Sequence, residues 1–160
     1  MTKIFVDMDG VLADFDSYYE RLYGVTPKEG FNKTRWTDFC RNANFVNLDY
    51  FPGAERLIQY LKNIENLPGV SVMILGSTGG YDFHGEVQRQ KLFWLKSRDI
   101  TFPAIFVPGK RFKRFHATAA SMLVDDHPEN VKQFIEHGGH AHMYTTPELA
   151  IPEIENFIRN

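Results

Sequence analysis

Four aspartates stand in two pairs, each directly after a short apolar run. Asp7 and Asp9 follow Ile4-Phe5-Val6, and Asp125 and Asp126 follow Met122-Leu123-Val124. A short continuous apolar run reads as a strand buried on both faces. While the chain stays extended, residues i and i+2 point the same way, so Asp7 and Asp9 lean into one cavity. Gly10 then lets the backbone turn. Carboxylates held this close repel one another, and a divalent cation, a lysine or a shared proton must neutralise them. The carboxyl ends of strands are where open α/β sheets bind ligands. The competing reading of each pair is structural. Asp-Gly is a common turn pair, and an aspartate before Pro128 caps the helix E-N-V-K-Q-F-I-E-H that Gly138 terminates. D-x-D-G directly after an apolar strand is more particular than a turn.

Two further stretches carry groups suited to an anion. Val70 to Leu75 is a second buried strand, and it ends in G-S-T-G-G. The hydroxyls of Ser77 and Thr78, with glycine amides beside them, make an oxyanion cradle at a strand end. The segment P-G-K-R-F-K-R-F-H holds the one basic cluster: Lys110, Arg111, Lys113 and Arg114. Either this is a solvated loop, or one lysine enters the site and offsets the charge of Asp7 and of a bound anion. The six histidines have no zinc spacing. His140 and His142 read as one face of a strand, and only His127, next to Asp126, is placed to touch the site.

These groups need a frame. Strands are expected also at Ile105–Val107 and His140–Tyr144. Helices are expected from Asp14 or Asp16 to Gly24, over Thr34–Cys40, from Pro52 over A-E-R-L-I-Q-Y-L-K-N-I, over His84–Asp99, after Pro128, and around Pro152–Ile158. Strands alternating with helices give an α/β fold with a mainly parallel sheet. No strand pattern appears between Asp16 and Tyr50. That stretch reads as a small helical cap, residues 16–50, inserted into a core of residues 1–15 and 51–160. It is rich in rings, most of which are expected to build its own small core.

Composition excludes several classes. At 160 residues with 43% hydrophobic residues, the chain makes one domain with a real core. A net charge of −2 gives no global basic field, so stable nucleic-acid binding is not expected. The one cysteine, Cys40, rules out an internal disulfide and a CxxC metal site. The N-terminus has no signal-peptide pattern and no segment approaches a membrane span, so an intracellular, cytoplasmic protein is expected.

D-M-D-G-V-L-A-D-F resembles the first motif of the haloacid dehalogenase superfamily, and within it the 5'(3')-deoxyribonucleotidase branch. The strand ending in G-S-T-G-G resembles the superfamily's second motif, a lysine ahead of the last acidic strand its third, and the strand ending in Asp125-Asp126 its fourth. All four occur in order over the whole core. The resemblance implies a three-layer Rossmann-like core with a helical cap after the first strand. It implies Mg²⁺ bound by Asp7, Asp126 and the backbone carbonyl of Asp9, with Asp125 in support. It implies Asp7 as nucleophile and Asp9 as general acid–base. It implies Ser77, Thr78 and a lysine on phosphate. Lys113 fits as K-x-x-x-A before the strand; Lys110 is the rival, as a gapless match to I-x-x-x-x-K. Phe15 matches a base-pocket residue, Trp36 is the best cap partner for it, and Lys91 in K-L-F-W-L sits where these nucleotidases carry a substrate lysine.

The leading expectation is a Mg²⁺-dependent phosphatase acting on a small-molecule (deoxy)nucleoside monophosphate. A phosphatase for another small ester, such as a sugar phosphate, competes. So does a non-catalytic metal or phosphate binder, disfavoured because nothing else demands both Asp7 and Asp9. A response-regulator receiver has no counterpart to Asp125-Asp126 so late in the chain. A phosphatase of nucleic-acid ends is disfavoured by the small cap and single basic cluster.

Overall fold

The computed structural model describes residues 1–160. Five strands form one all-parallel sheet: β1 Thr2–Val6, β2 Val70–Ser77, β3 Ala104–Val107, β4 Ser121–Asp125 and β5 His140–Met143. Their order is β3-β2-β1-β4-β5. The helices are α1 Phe15–Tyr23, α2 Pro27–Gly30, α3 Lys33–Arg41, α4 Ala54–Ile64, α5 His84–Ser97, α6 Pro128–Glu136 and α7 Pro147–Arg159. Two 3₁₀ segments, Asn44–Asn47 and Lys110–His116, complete the set.

The apolar runs explain the layering. Ile4, Val6, Val72, Ile74, Met122 and Val124 point to one face, where they meet Leu57, Leu61, Trp94, Ala150 and Ile154 of α4, α5 and α7. Phe5, Leu75 and Leu123 alternate to the other face and pack with Phe134 of α6. Helices thus cover both faces, as an all-parallel sheet requires. The result is a doubly wound α/β fold, the Rossmann-like architecture expected from the sequence.

Register sets the site. Val6 pairs with Ile74 on one side and Val124 on the other. Asp7 and Asp125 therefore leave the sheet level with each other, at the central strands, where the chain order reverses.

Residues 16–50 fold as helices and a 3₁₀ turn. Asp14 caps α1 by accepting from the Ser17 amide, and Gly24 ends it in the left-handed region at φ 73°. Tyr19, Phe39 and Phe45 are buried with the sheet residues in one continuous apolar cluster, so these rings share the main core.

Three element bounds differ from expectation. α2 falls within a stretch read as breakers; Pro27 at its start and the Thr26 side chain, which accepts from the Glu29 amide, are enough for one turn. α4 starts at Ala54 because the Phe51 amide is tied back to the Leu12 carbonyl at 2.8 Å. α7 starts at Pro147, five residues before Pro152. Pro152 leaves the Glu148 carbonyl without its helical donor, and exposure of Glu148 lets water serve it.

Candidate active site

The loop after β1 begins with Asp7, whose amide donates to the Val124 carbonyl at 2.9 Å. Its carboxylate, with those of Asp125 and Asp126, forms a cluster whose oxygens lie within 4.8 Å of one another. The Lys113 ammonium is buried among them. Its Nζ donates to Asp7 Oδ1 and to Asp125 Oδ2, each at 2.8 Å. Asp125 is fully engaged: Oδ2 also accepts from Asn130 Nδ2 at 3.1 Å, and Oδ1 accepts from the His127 amide at 2.8 Å. Asp126 opens onto the cavity. A Cβ at Gly10 would fall 2.0 Å from Asp126 Oδ2, and Gly10 has φ +80°, so only glycine lets Asp126 approach.

The electrostatics follow from burial. Desolvation raises the Asp7 carboxyl well above its ordinary value, and Asp125 adds to this against the pull of Lys113. Burial and Asp125 push Asp126 up to about 6. Burial alone would lower the Lys113 ammonium, but Asp7 and Asp125 outweigh it and hold it above its ordinary value. One ammonium among three carboxylates leaves a surplus of negative charge. These hard oxygen donors fit a divalent cation such as Mg²⁺.

Asp9 has a separate partner. Lys91, buried on α5, donates to Asp9 Oδ2 and to the Ser77 carbonyl, each at 2.8 Å. Asp9 Oδ1 is buried with no hydrogen-bond partner. Lys91 Nζ also lies 5.0 Å from the centroid of Phe45.

Asp7, Asp9, Asp126, Ser77, Lys113 and Lys110 line one cavity of about 380 Å³. Its far wall is aromatic, with Phe15, Phe31 and Trp36. Phe15 is stacked on Phe45 at 5.8 Å and 10°, and meets Trp36 edge-on at 6.3 Å. Trp36 rests on the loop after β2: a Cβ at Gly79 would lie 2.5 Å from its ring. A larger cavity of about 680 Å³, beside His140, Glu153 and Phe157, holds none of these carboxylates.

The structure thus brings together most residues singled out from sequence, with differences in placement. Ser77 faces the cavity, and its Oγ accepts from the Gly79 amide at 3.1 Å. Thr78 is buried, its Oγ1 lying 2.6 Å from His84 Nδ1 and 3.3 Å from the Val107 carbonyl. Lys110 stands at the rim, with Nζ 2.8 Å from His127 Nε2. Lys91 lies behind Asp9 and is not among the lining residues. Asp16, Pro27, Phe31 and Asn130 were not singled out as site residues, yet all line the cavity. Asn130 is one turn past D-D-H-P, where a polar side chain at a helix start can reach back to the preceding loop.

No protein-family model matches the sequence, and no curated protein matches it significantly. Solved structures do resemble the fold. One is a hydrolase from Streptococcus pneumoniae TIGR4, at TM-score 0.60 and 14% identity, covering 96% of this chain and 98% of that one. Another is D,D-heptose 1,7-bisphosphate phosphatase from Burkholderia thailandensis, at TM-score 0.51 and 13% identity, covering 87% and 75%. At these identities the likeness is one of fold, the α/β core that the dehalogenase-superfamily resemblance implies. No helix is long and apolar enough to cross a membrane.

Proposed function

We propose that the protein is a phosphomonoester hydrolase of the haloacid dehalogenase type, acting on a (deoxy)nucleoside monophosphate. The observation that carries this reading is Lys113, buried between Asp7 and Asp125 at the carboxyl ends of the two central strands, with Asp9 beside them. The two fold neighbours, a hydrolase and a phosphatase, agree with it.

Asp7 attacks phosphorus, forming an aspartyl-phosphate as the P–O bond to the leaving group breaks. Asp9 gives its proton to the leaving oxygen, then takes one from the water that hydrolyses the intermediate. Lys91 occupies Asp9 Oδ2, so Oδ1 is the atom left to carry that proton. Lys113 has three N–H donors and spends two on Asp7 and Asp125, leaving one for an equatorial phosphoryl oxygen. Ser77 supplies another donor, with Thr78 shaping the loop behind it. In a loose transition state the charge resides on those oxygens. Mg²⁺ would be held by the carboxylates of Asp7 and Asp126 and the backbone carbonyl of Asp9, with Asp125 in support, and would supply charge neutralisation and Lewis acidity when bound.

Residues 16–50 act as the cap. A base enters against Phe15 and Trp36, which line the same cavity as Asp7, with Lys110 at its rim.

A panel of phosphomonoesters, assayed with Mg²⁺ and with excess chelator, tests the reading. Deoxynucleoside monophosphates should be hydrolysed best, and only with the metal. A preference for sugar phosphates would replace the substrate class. Full activity in chelator would remove the metal.

A further inference from the structure

Lys110 to Phe115 reads K-R-F-K-R-F, one triplet repeated twice, and the chain there winds as a 3₁₀ helix. Such a helix has three residues per turn, so residues i and i+3 eclipse. The repeat therefore sorts into three rows.

The lysine row serves the acidic site: Lys113 reaches Asp7 and Asp125, and Lys110 stands at the rim beside His127. The other two rows take no part there. The rings of Phe112 and Phe115 lie 6.2 Å apart, and Tyr81 continues the row 6.2 Å beyond Phe112. The guanidinium of Arg111 lies 4.8 Å from the Phe112 centroid, and that of Arg114 5.2 Å from Phe115. Tyr81 is 70% and Phe115 65% exposed, so core packing does not account for either ring.

This strip is joined to the catalytic cavity. A second cavity of about 500 Å³ is lined by Tyr81, Arg111 and Phe112, and shares Ser77, Gly79 and Lys110 with the first. The acid next to Tyr81, Asp82, lines a different cavity with Lys33 and Arg41. A row of rings with a row of guanidinium groups beside it suits a polymer of flat bases linked by phosphates.

We propose that the strip Tyr81–Phe112–Phe115, with Arg111 and Arg114, binds single-stranded nucleic acid. Bases stack on the rings and phosphates meet the arginines. The strand's terminal phosphate lies in the catalytic cavity; that placement alone rests on the phosphomonoesterase reading. A duplex hides its base faces and cannot stack here. The net charge of −2 gave no reason to expect such a site, because the attraction is local to two rows of one 3₁₀ helix.

Fluorescence anisotropy with a labelled, unphosphorylated oligothymidylate at low salt tests the strip without any turnover. The wild-type protein should bind it. Phe115→Ala should weaken binding at least about tenfold, the loss of one stacked base. Arg111→Ala should make the slope of log K against log salt shallower by about 0.7. Both side chains are exposed, so both variants should fold and hydrolyse a mononucleotide as the wild type does. No wild-type binding at low salt, unchanged binding by both variants, or equally tight binding of a duplex would each overturn the proposal. Binding that follows this pattern in a protein without phosphatase activity would support the strip while removing the catalytic reading.

Discussion

Two buried lysines serve the two aspartates of one D-x-D, and they do so differently. Lys113 sits between Asp7 and Asp125, with Asp126 nearby, so one positive charge faces three carboxylates. Lys91 faces Asp9 alone and gives its other hydrogen bond to the neutral Ser77 carbonyl. Both ammonium groups are almost wholly shielded from water. A buried charge is tolerated only when paired and hydrogen-bonded. The first arrangement leaves negative charge for a cation to balance, and a carboxylate whose neighbours raise its energy. The second is balanced one to one and fixes a single oxygen of Asp9. Two identical side chains, two residues apart, thereby have unequal surroundings, and the proposed roles divide along the same line: Asp7 as nucleophile, Asp9 as proton carrier.

Breaking the Asp7 half should have the largest effect. Asp7→Asn keeps the shape and the Lys113 contact but removes the proposed nucleophile. Steady-state phosphate release should fall by more than about a thousandfold, with circular dichroism unchanged.

Breaking the other half should split substrates by leaving group. Lys91→Met keeps the apolar stem but frees Asp9 Oδ2. For a nucleotide, whose sugar alkoxide needs a proton, kcat/KM should fall about a hundredfold. For p-nitrophenyl phosphate, whose leaving group needs none, the loss should be much smaller. Equal losses on both would mean that Lys91 supports packing only.

The aromatic wall should matter less, and only for substrates with a base. Phe15→Ala and Trp36→Ala should each lower kcat/KM for a deoxynucleoside monophosphate about ten- to a hundredfold. Hydrolysis of a small ester without a base should scarcely change. Equal losses on both substrates would reduce the rings to cap packing.

The smallest effect concerns stability. Asp126 is held near 6, above its unfolded value near 4, so its charged form opposes folding. That cost is absent below pH 4 and complete above about pH 6. Asp126→Asn should therefore raise the Tm of chelator-treated protein at pH 8 and not at pH 4. With the solvent screening of a side chain open to the cavity, the gain is about 1 kcal/mol, or ~2–4 °C. A higher gain at pH 4 than at pH 8 would reverse the sign and contradict the charge surplus.

The comparison also shows what a sequence can reveal. β1 and β4 and their acidic ends were legible because each is a short apolar run stopped by aspartate. The parallel sheet follows from strands alternating with helices; its order was not read from the sequence. Lys110 and Lys113 were not separable, because three-residue spacing in a 3₁₀ helix puts both on one face and only their height along it tells them apart. Their positions in it put Lys113 inside and Lys110 at the rim. The Lys91–Asp9 pair was illegible for another reason: 82 residues separate the partners, and only the α5 packing brings them together. Ser77 was preferred to Thr78 by its position after the strand, but the sequence could not show that the Val107 carbonyl and His84, on neighbouring elements, turn Thr78 inward.

Covalent catalysis by Asp7 can be tested directly by mass spectrometry. Protein mixed with Mg²⁺ and a deoxynucleoside monophosphate is quenched in acid during turnover, digested, and its phosphorylated peptides are identified. A single phosphoryl group on the peptide carrying Asp7, absent from Asp7→Asn and from chelator-treated protein, is the expected result. Sustained turnover with the phosphoryl group on another residue, or with Asp7→Asn still releasing phosphate at wild-type rate, would contradict it.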